Sequence, residues 1–479
     1  MMLSMRIAII GGGIAGLSAA YELEQARGAG ASVEYTLFES RARLGGALDS
    51  ETVNGTVLER GPDSFLTEKA AAAELCREVG LADELVPSND AGRKTFIVVR
   101  NRLVPLPDGL MFLVPTKLIP TALSRLFSLP TKLRMGLELL LPPRPSGLPD
   151  ESVAALVERH FGRETVDRLA DPLLSGIYGG DATELSARTV LPRMVEMEEK
   201  YGSLTRAMLA AHRQMRAHGQ QGGAKRSPRP IFTALRGGMR QLVEAITARL
   251  EPASIRLSTP VTALEKSADG WLVSFGEQAE RFDAVIMASP AWAAGTLLSP
   301  ADAALGEELS GIPYSSSITL NLVYDEARLG PLPAGFGFLV PAVEGRAMLA
   351  CTFAHRKFLG RTPPGKVVLR AFLGGMRNEA LLAESDESLV ATVRRELSEI
   401  LGKGVLSRTV EPESTQVTRW QRAMAQYSVG HQERKQRIAA RVATLDGLRL
   451  AGNAYDGIGV PDCIRLGRKA ARELVALIG

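Results

Sequence analysis

Gly11, Gly13 and Gly16 stand at the GxGxxG spacing of a phosphate-binding turn, and Glu39 follows them at close to the roughly 20-residue distance at which an acid meets a ribose hydroxyl. The chemistry such a set performs is dinucleotide binding. Gly11 makes the tight turn, Gly13 lets a pyrophosphate approach the backbone, and Gly16 allows close packing of helix on strand. The elements that must position them are readable on either side. Arg6–Ile10 is a short β-branched apolar run suited to a buried parallel strand, and Val33–Phe38 is a second one that delivers Glu39. Between them Leu17, Ala20, Tyr21 and Leu23 recur at near-helical spacing, so Gly12, Ile14 and Ala15 fall at a helix N-terminus with free amides and a partial positive charge. The plainer alternative, a glycine turn followed by a surface glutamate, does not explain why strand, helix, strand and acid come in this order.

A second glycine-rich strand–loop–helix closes the chain. Leu448–Ala451 is a strand, Gly452, Gly457, Ile458 and Val460 belong to the loop, and Cys463–Leu477 is a helix. Two such loops, far apart in sequence, suit one extended ligand held at two points, which favours FAD over NAD. Two further stretches can serve it. Arg43-Leu44-Gly45-Gly46 is a basic turn able to bring amides and a guanidinium to a phosphate, and Gly61-Pro62-Asp63-Ser64 breaks regular structure where backbone can run beside a flat ring.

Composition narrows the class. The 479 residues allow about three domain-sized units, and 45% hydrophobic content permits large cores. A net charge of +4 with scattered basic residues gives no nucleic-acid signature. Cys76, Cys351 and Cys463 are far apart, which suggests a reducing compartment without disulfides or a zinc cluster, and five scattered histidines add no metal site. The first strand follows MMLSM directly, leaving no room for a signal peptide, and no apolar run reaches eighteen residues. The expected location is the cytoplasm. No Ser/His/Asp series or acid pair is visible.

The expected fold class is α/β, α+β overall: a Rossmann-like domain, a β-rich domain and a helical insertion. The first is discontinuous, over 5–90, 235–305 and 432–479; the β-rich domain takes 91–105 and 306–431, and the helical one 106–234. Glu68–Leu81, Ser152–Leu174 and Leu191–His218 read as helices, with a turn at Ser175–Asp181 and a flexible loop at Gln220–Pro230. Ile255–Leu264 reads as a strand. Ile318–Tyr324, Phe336–Val340, Met348–Phe353 and Val367–Leu373 suit one antiparallel sheet, with Leu389, Val393, Leu397 and Ile400 on a helix started by Asp386. Gly109–Leu141 is greasy, proline-punctuated and basic. It reads equally as a wall over an apolar cavity or as ordinary helical packing, with a membrane-surface patch as a third reading.

Four blocks carry a resemblance: Glu59–Phe65 (ERGPDSF), Asp171–Asp181 (DPLLSGIYGGD), Thr418–His431 (TRWQRAMAQYSVGH) and Gly457–Ile464 (GIGVPDCI). Through them, and over essentially its whole length, the chain resembles the protoporphyrinogen/coproporphyrinogen oxidase family within the amine-oxidase superfamily, most closely the soluble bacterial type acting on coproporphyrinogen III. The resemblance implies an amine-oxidase-like architecture and non-covalent FAD. In it Gly11–Gly16 hold the pyrophosphate, Glu39 the adenosine ribose, and Ser40 and Arg43 the same end. Val261 meets the adenine through its backbone, and Gly61–Ser64 pass beside the isoalloxazine. Gly457, Ile458 and Val460 hold the pyrophosphate–flavin junction. Trp420 packs near the flavin, with a core tryptophan as the equal alternative. Ile177 and Gly179 shape the substrate cavity unless they are a simple turn. Lys69, or Arg93 or Lys94, meets a propionate unless each is a solvated surface cation. Cys463 reads as a small buried residue.

The implied reaction is a six-electron oxidation of coproporphyrinogen III to coproporphyrin III in heme biosynthesis. It proceeds by hydride transfer from a methylene bridge to flavin N5, with oxygen as acceptor and hydrogen peroxide as product, and the resemblance assigns no catalytic side chain. A downstream chelatase is an implied transient partner, and membrane contact is at most peripheral. The alternatives are a protoporphyrinogen IX oxidase, a flavin amine oxidase, a carotenoid desaturase and a non-catalytic dinucleotide-binding protein.

Overall fold

The computed structural model describes residues 4–107, 110–111, 114–115, 118–145, 147–219 and 230–478. Gly109, Phe112, Leu113, Lys117 and the expected loop from Gln220 as far as residue 229 lie outside the described residues. Helices and strands alternate along the chain and build a five-stranded parallel sheet and a seven-stranded mixed sheet, as an α/β chain should.

The parallel sheet has the order Ile255–Arg256, Val33–Phe38, Met5–Ile10, Ala284–Met287, Leu448–Leu450. Its strands come from both ends of the chain and its middle. Ile7, Ala8 and Ile9 are fully buried, which is why the central strand is continuously apolar. The helices Ile14–Gly28 and Val460–Val475 cover one face together. They approach so closely that a Cβ on Gly467 would lie 2.0 Å from the Ala15 carbonyl oxygen.

The second sheet has seven strands, in the order Ser414–Ala425, Tyr314–Asp325, Lys366–Gly374, Met348–Phe353, Gly337–Leu339, Thr95–Val99, Arg102–Pro105. It is mixed, because Gly337–Leu339 runs parallel to Thr95–Val99. Period-2 alternation divides its faces. Ile318, Leu320, Leu322 and Tyr324 pack with Leu389, Val393, Leu397 and Ile400 of the helix Asp386–Leu401. Ser385 caps that helix, accepting from the Ser388 amide, so the cap lies one residue before the expected Asp386. Thr319, Asn321 and Arg370 belong to the opposite face, which receives the Glu59–Ser64 segment.

Other sequence expectations shift locally. The Ser175–Asp181 turn is largely helical: Asp171–Tyr178 is a helix that stops at left-handed Gly179. Gly162, at φ +86°, interrupts the helix expected over Ser152–Leu174, and Gly202 divides Leu191–His218 into Pro192–Tyr201 and Leu204–Gly219. Left-handed Ser258 separates Ile255–Arg256 from Val261–Ser267. The strand Phe232–Leu235 pairs with Phe65–Leu66 and Leu85–Pro87, so it spans the boundary expected after residue 234. The helix Ala303–Ser310 likewise spans the one expected after 305.

Candidate functional site

The first glycine turn is built as its spacing requires. Gly11 sits at φ +112°, a conformation that L side chains rarely adopt, and its amide donates to the Phe38 carbonyl at 2.8 Å. A Cβ on Gly16 would come 1.9 Å from the Gly11 oxygen, whereas one on Gly13 would meet nothing within 4 Å. Gly16 is therefore needed for packing, and Gly13 leaves open space beside the backbone. Ile14 and Ala15 are buried in the first turn of a helix with no side-chain cap and no acid there, so its N-terminal amides remain available to an anion.

Glu39 is brought onto this turn. One carboxylate oxygen accepts from the Gly12 amide at 2.7 Å, the other from the Arg41 amide at 2.8 Å and from the Ser40 hydroxyl at 3.3 Å. Val261 arrives at the same end, because the amide of nearby Thr259 donates to the Glu39 carbonyl at 2.9 Å. Gly45 is tied to Gly12 by its amide at 2.8 Å, and Gly46 is left-handed at φ +58°. The Arg43 guanidinium clasps the carbonyls of Leu44 at 3.2 Å and Gly46 at 2.9 Å and lies 3.6 Å from Asp49, so it also braces the turn from within.

The Gly61–Ser64 segment is held through its carbonyls. Asn321 Nδ2 donates to the Glu59 carbonyl at 3.0 Å, Trp420 Nε1 to Arg60 at 2.8 Å, the Arg370 guanidinium to Gly61, and Arg361 to Asp63 at 3.4 Å. Lys357 Nζ lies 3.0 Å from both Asp63 oxygens and 3.4 Å from the Ser64 hydroxyl. Burial alone would raise the Asp63 carboxyl, but Lys357 and Arg370 pull it far below the usual carboxylate range. Pro62 is exposed at the turn. Trp420 is half-buried and packs on Gly61, so it is not a core tryptophan. It borders a cleft of about 480 Å³ with Arg41, Arg43, Asp49, Arg60 and Gln416.

Asn321, Lys357, Arg361 and Arg370 are absent from the sequence-level set. They lie some 260 to 310 positions from the segment they hold. The one local signal is Arg370, a charge in the middle of the apolar strand Lys366–Gly374.

The C-terminal loop begins at Gly452 (φ +138°) and turns again at Gly457 (φ +105°), whose amide donates to the Tyr427 hydroxyl at 2.9 Å. Gly459 precedes the helix Val460–Val475, so the helix starts three residues earlier than expected and takes buried Val460 into its first turn. Ile458 is half-buried. Cys463 is buried, and burial pushes its thiol up to about 12. Asp462 accepts from the Gly459 amide at 3.2 Å and from Lys69 Nζ at 2.6 Å. Lys69 thus already has a carboxylate partner, while Arg93 and Lys94 are exposed just before the Thr95–Val99 strand.

Ile177 is exposed on the helix Asp171–Tyr178, one residue after Gly176, whose Cβ would lie 3.3 Å from Leu339 of the mixed sheet. Gly179 abuts the same sheet, with its Cβ position 2.9 Å from Ser315 Oγ, and Arg377 ties Asp171 and Asp181 together there. These residues therefore lie where the helical part meets the sheet face. Among the described residues no group of His, Cys, Asp and Glu could hold a metal ion, and no helix is long and apolar enough to cross a membrane.

Comparison with known proteins accords with this geometry. The family model for flavin-containing amine oxidoreductases matches residues 14–475. The coproporphyrinogen III oxidase of Bacillus subtilis (strain 168) is 33% identical over 98% of each chain. The chloroplastic protoporphyrinogen oxidase of Nicotiana tabacum is 29% identical over 98% of this chain and 85% of its own. The crystal structure of an Exiguobacterium sp. 255-15 protein provisionally assigned as a protoporphyrinogen oxidase superposes over 100% of both chains, with TM-score 0.85 and 32% identity. The two glycine loops and the helix N-termini beside them suit the long dinucleotide of FAD. The chain belongs to the flavin-containing amine oxidoreductase family, in the branch holding the coproporphyrinogen III and protoporphyrinogen oxidases, and is an FAD-dependent oxidoreductase.

Proposed function

We propose that this enzyme oxidises coproporphyrinogen III to coproporphyrin III in heme biosynthesis, with oxygen as the electron acceptor and hydrogen peroxide as the second product. The observation carrying this reading is its full-length similarity to a bacterial coproporphyrinogen III oxidase, 33% identical over 98% of each chain. The plant protoporphyrinogen oxidase at 29% identity supports protoporphyrinogen IX as the second reading.

FAD, held non-covalently, would supply a two-electron acceptor used three times per macrocycle. The chain's residues bind, orient and exclude water. Gly11–Gly16 and the N-terminus of the first helix would hold the pyrophosphate, and Glu39, Ser40 and the Val261 backbone the adenosine end. Gly45 and Gly46 would shape the turn beside them, with Arg43 lining the adenosine end while bracing the turn. Gly61, Pro62, Asp63 and Ser64 would line the ring with Trp420, while Gly452, Gly457, Ile458 and Val460 close the junction. Ile177 and Gly179 would border the macrocycle. Proton loss driven by aromatisation needs no dedicated base. Lys69 could meet a propionate only by sharing its ammonium with Asp462.

The domain limits read from the sequence remain our division of the chain, moved at residues 235 and 305 to keep intact the strand and helix found there. We place the enzyme in the cytoplasm, with transient contact to a downstream chelatase. A specific surface favours a peripheral lipid contact as well. Leu129, Leu133, Leu137 and Leu140 are 62–76% exposed and recur on one side of the helix Leu129–Leu137 and the turn after it, with basic Arg125 and Lys132 nearby in sequence.

The function is tested by loading the purified protein with FAD and following porphyrin fluorescence from coproporphyrinogen III in air. Porphyrin formation above the no-enzyme rate, with three peroxides per porphyrin, is expected. Absence of bound flavin, or no oxidation by flavin-loaded protein, overturns the reading.

A further inference from the structure

Behind the Gly61–Ser64 segment lies a buried charge cluster that is not balanced. Among the described residues Lys357, Arg361 and Arg370 face only two carboxylates, Glu59 and Asp63, and no side chain of the five is more than 14% exposed. Arg361 pairs with Glu59, Arg370 and Lys357 both reach Asp63, and Arg370 also donates to the Gly61 carbonyl. Glu59 Oε2 and the Nε atoms of both arginines have no hydrogen-bond partner among the described residues, so the cluster is not organised for maximal internal pairing. An excess cation in such a place is costly to bury and weakly screened. Phe232 and Phe358 hold the lysine, with Nζ 4.7 and 5.1 Å from their ring centroids, which fixes its charge in position.

We propose that Lys357 and Arg370 are positioning residues that hold the Gly61–Ser64 segment against the flavin ring and keep an unpaired positive charge behind it, making bound FAD easier to reduce. The inference rests on the reading that this segment lies beside the isoalloxazine. Two-electron reduction with uptake of one proton adds one negative charge to the ring, and the porphyrinogen supplies the electrons. A fixed excess cation behind the segment favours that added charge. Asp63 works in the opposite sense, since its carboxylate offsets part of the field while anchoring the lysine.

The opposite signs of these charges supply the test. The midpoint potential of FAD is measured anaerobically on the holoenzyme and on Lys357→Met, Lys357→Arg and Asp63→Asn, with flavin content determined for each. Lys357→Met should lower the potential, with a change on the order of tenfold in the reduction equilibrium. Asp63→Asn should raise it, and Lys357→Arg, which keeps the charge, should restore the parent value. A merely structural role would move Lys357→Met and Asp63→Asn in the same direction or leave both unmoved, and either result overturns the proposal. So does loss of FAD from Lys357→Arg. Parent protein that binds no FAD defeats the cofactor reading itself, a result distinct from a flavin-loaded set whose potentials do not move.

Discussion

Lys69 Nζ lies 2.6 Å from Asp462 Oδ2, joining the N-terminus of the helix Ala70–Glu78 to the first turn of the C-terminal helix, 393 residues away in sequence. Asp462 also accepts from the Gly459 amide, so one carboxylate both caps a helix and receives the lysine. The two partners are unequal: Asp462 is buried, whereas the Lys69 side chain is 41% exposed.

Unequal burial predicts unequal variants. Lys69→Met should weaken FAD binding less than about fivefold, as for a partly exposed pair. Asp462→Ala removes the cap as well and should weaken it by on the order of tenfold or more. Flavin titration of the apoprotein, monitored by fluorescence quenching, measures both. If Lys69 instead serves a propionate, Lys69→Met raises the coproporphyrinogen KM and leaves FAD affinity alone.

The glycines of the first turn should separate by role. Gly16→Ala forces a methyl against the Gly11 oxygen and is expected to prevent stable folding, or to cost at least about 3 kcal/mol. Gly13→Ala places its methyl in open space, so the protein should fold with near-parent thermal stability but bind FAD at least about tenfold more weakly. Far-UV circular dichroism and flavin titration distinguish the two outcomes.

Two buried histidines should oppose each other in pH dependence. Burial pushes the His431 imidazole down, with help from Lys435, to about 4. Its stabilising effect is full above about 6.5 and is lost as pH falls toward 4, amounting to about 3 kcal/mol. His431→Phe should remove that acid-sensitive component from denaturation curves. Burial also disfavours the His160 imidazolium, but hydrogen bonds to Glu138 and Glu198, at 2.9 and 3.0 Å, prevail and raise it. Its contribution is full below about 6.5 and is lost as pH rises through the raised value. His160→Gln should cost about 3–5 kcal/mol at pH 6, since buried Glu138 loses its cation, whereas Glu198 keeps Arg159.

The exposed leucines predict lipid binding that does not depend on FAD. Co-sedimentation with vesicles containing anionic lipid should retain the parent protein and release a Leu133→Ser/Leu137→Ser double variant without loss of porphyrinogen oxidation. Equal recovery of both proteins in the supernatant would contradict the membrane contact.

The two glycine turns were legible in sequence because their determinants are local. Gly11, Gly13, Gly16 and Glu39 shape the first within one strand–helix–strand unit, and Gly452 and Gly457 turn the second before the C-terminal helix. The residues clamping Gly61–Ser64 were not legible. Asn321, Arg361 and Arg370 meet that segment only after the mixed sheet forms, and an arginine in an apolar strand does not announce its partner. The bracing contacts of Arg43 were not legible either, since a basic residue in a glycine-rich turn can serve a ligand, the turn's own carbonyls or both. Helix boundaries moved where left-handed glycines, Gly162, Gly179 and Gly202, broke or ended a continuous apolar pattern.

The most direct test of the central claim is a comparison of kcat/KM for coproporphyrinogen III and protoporphyrinogen IX on the same flavin-loaded preparation, corrected for spontaneous oxidation. The account predicts at least tenfold preference for coproporphyrinogen III. Equal use of the two, or preference for protoporphyrinogen IX, would contradict it.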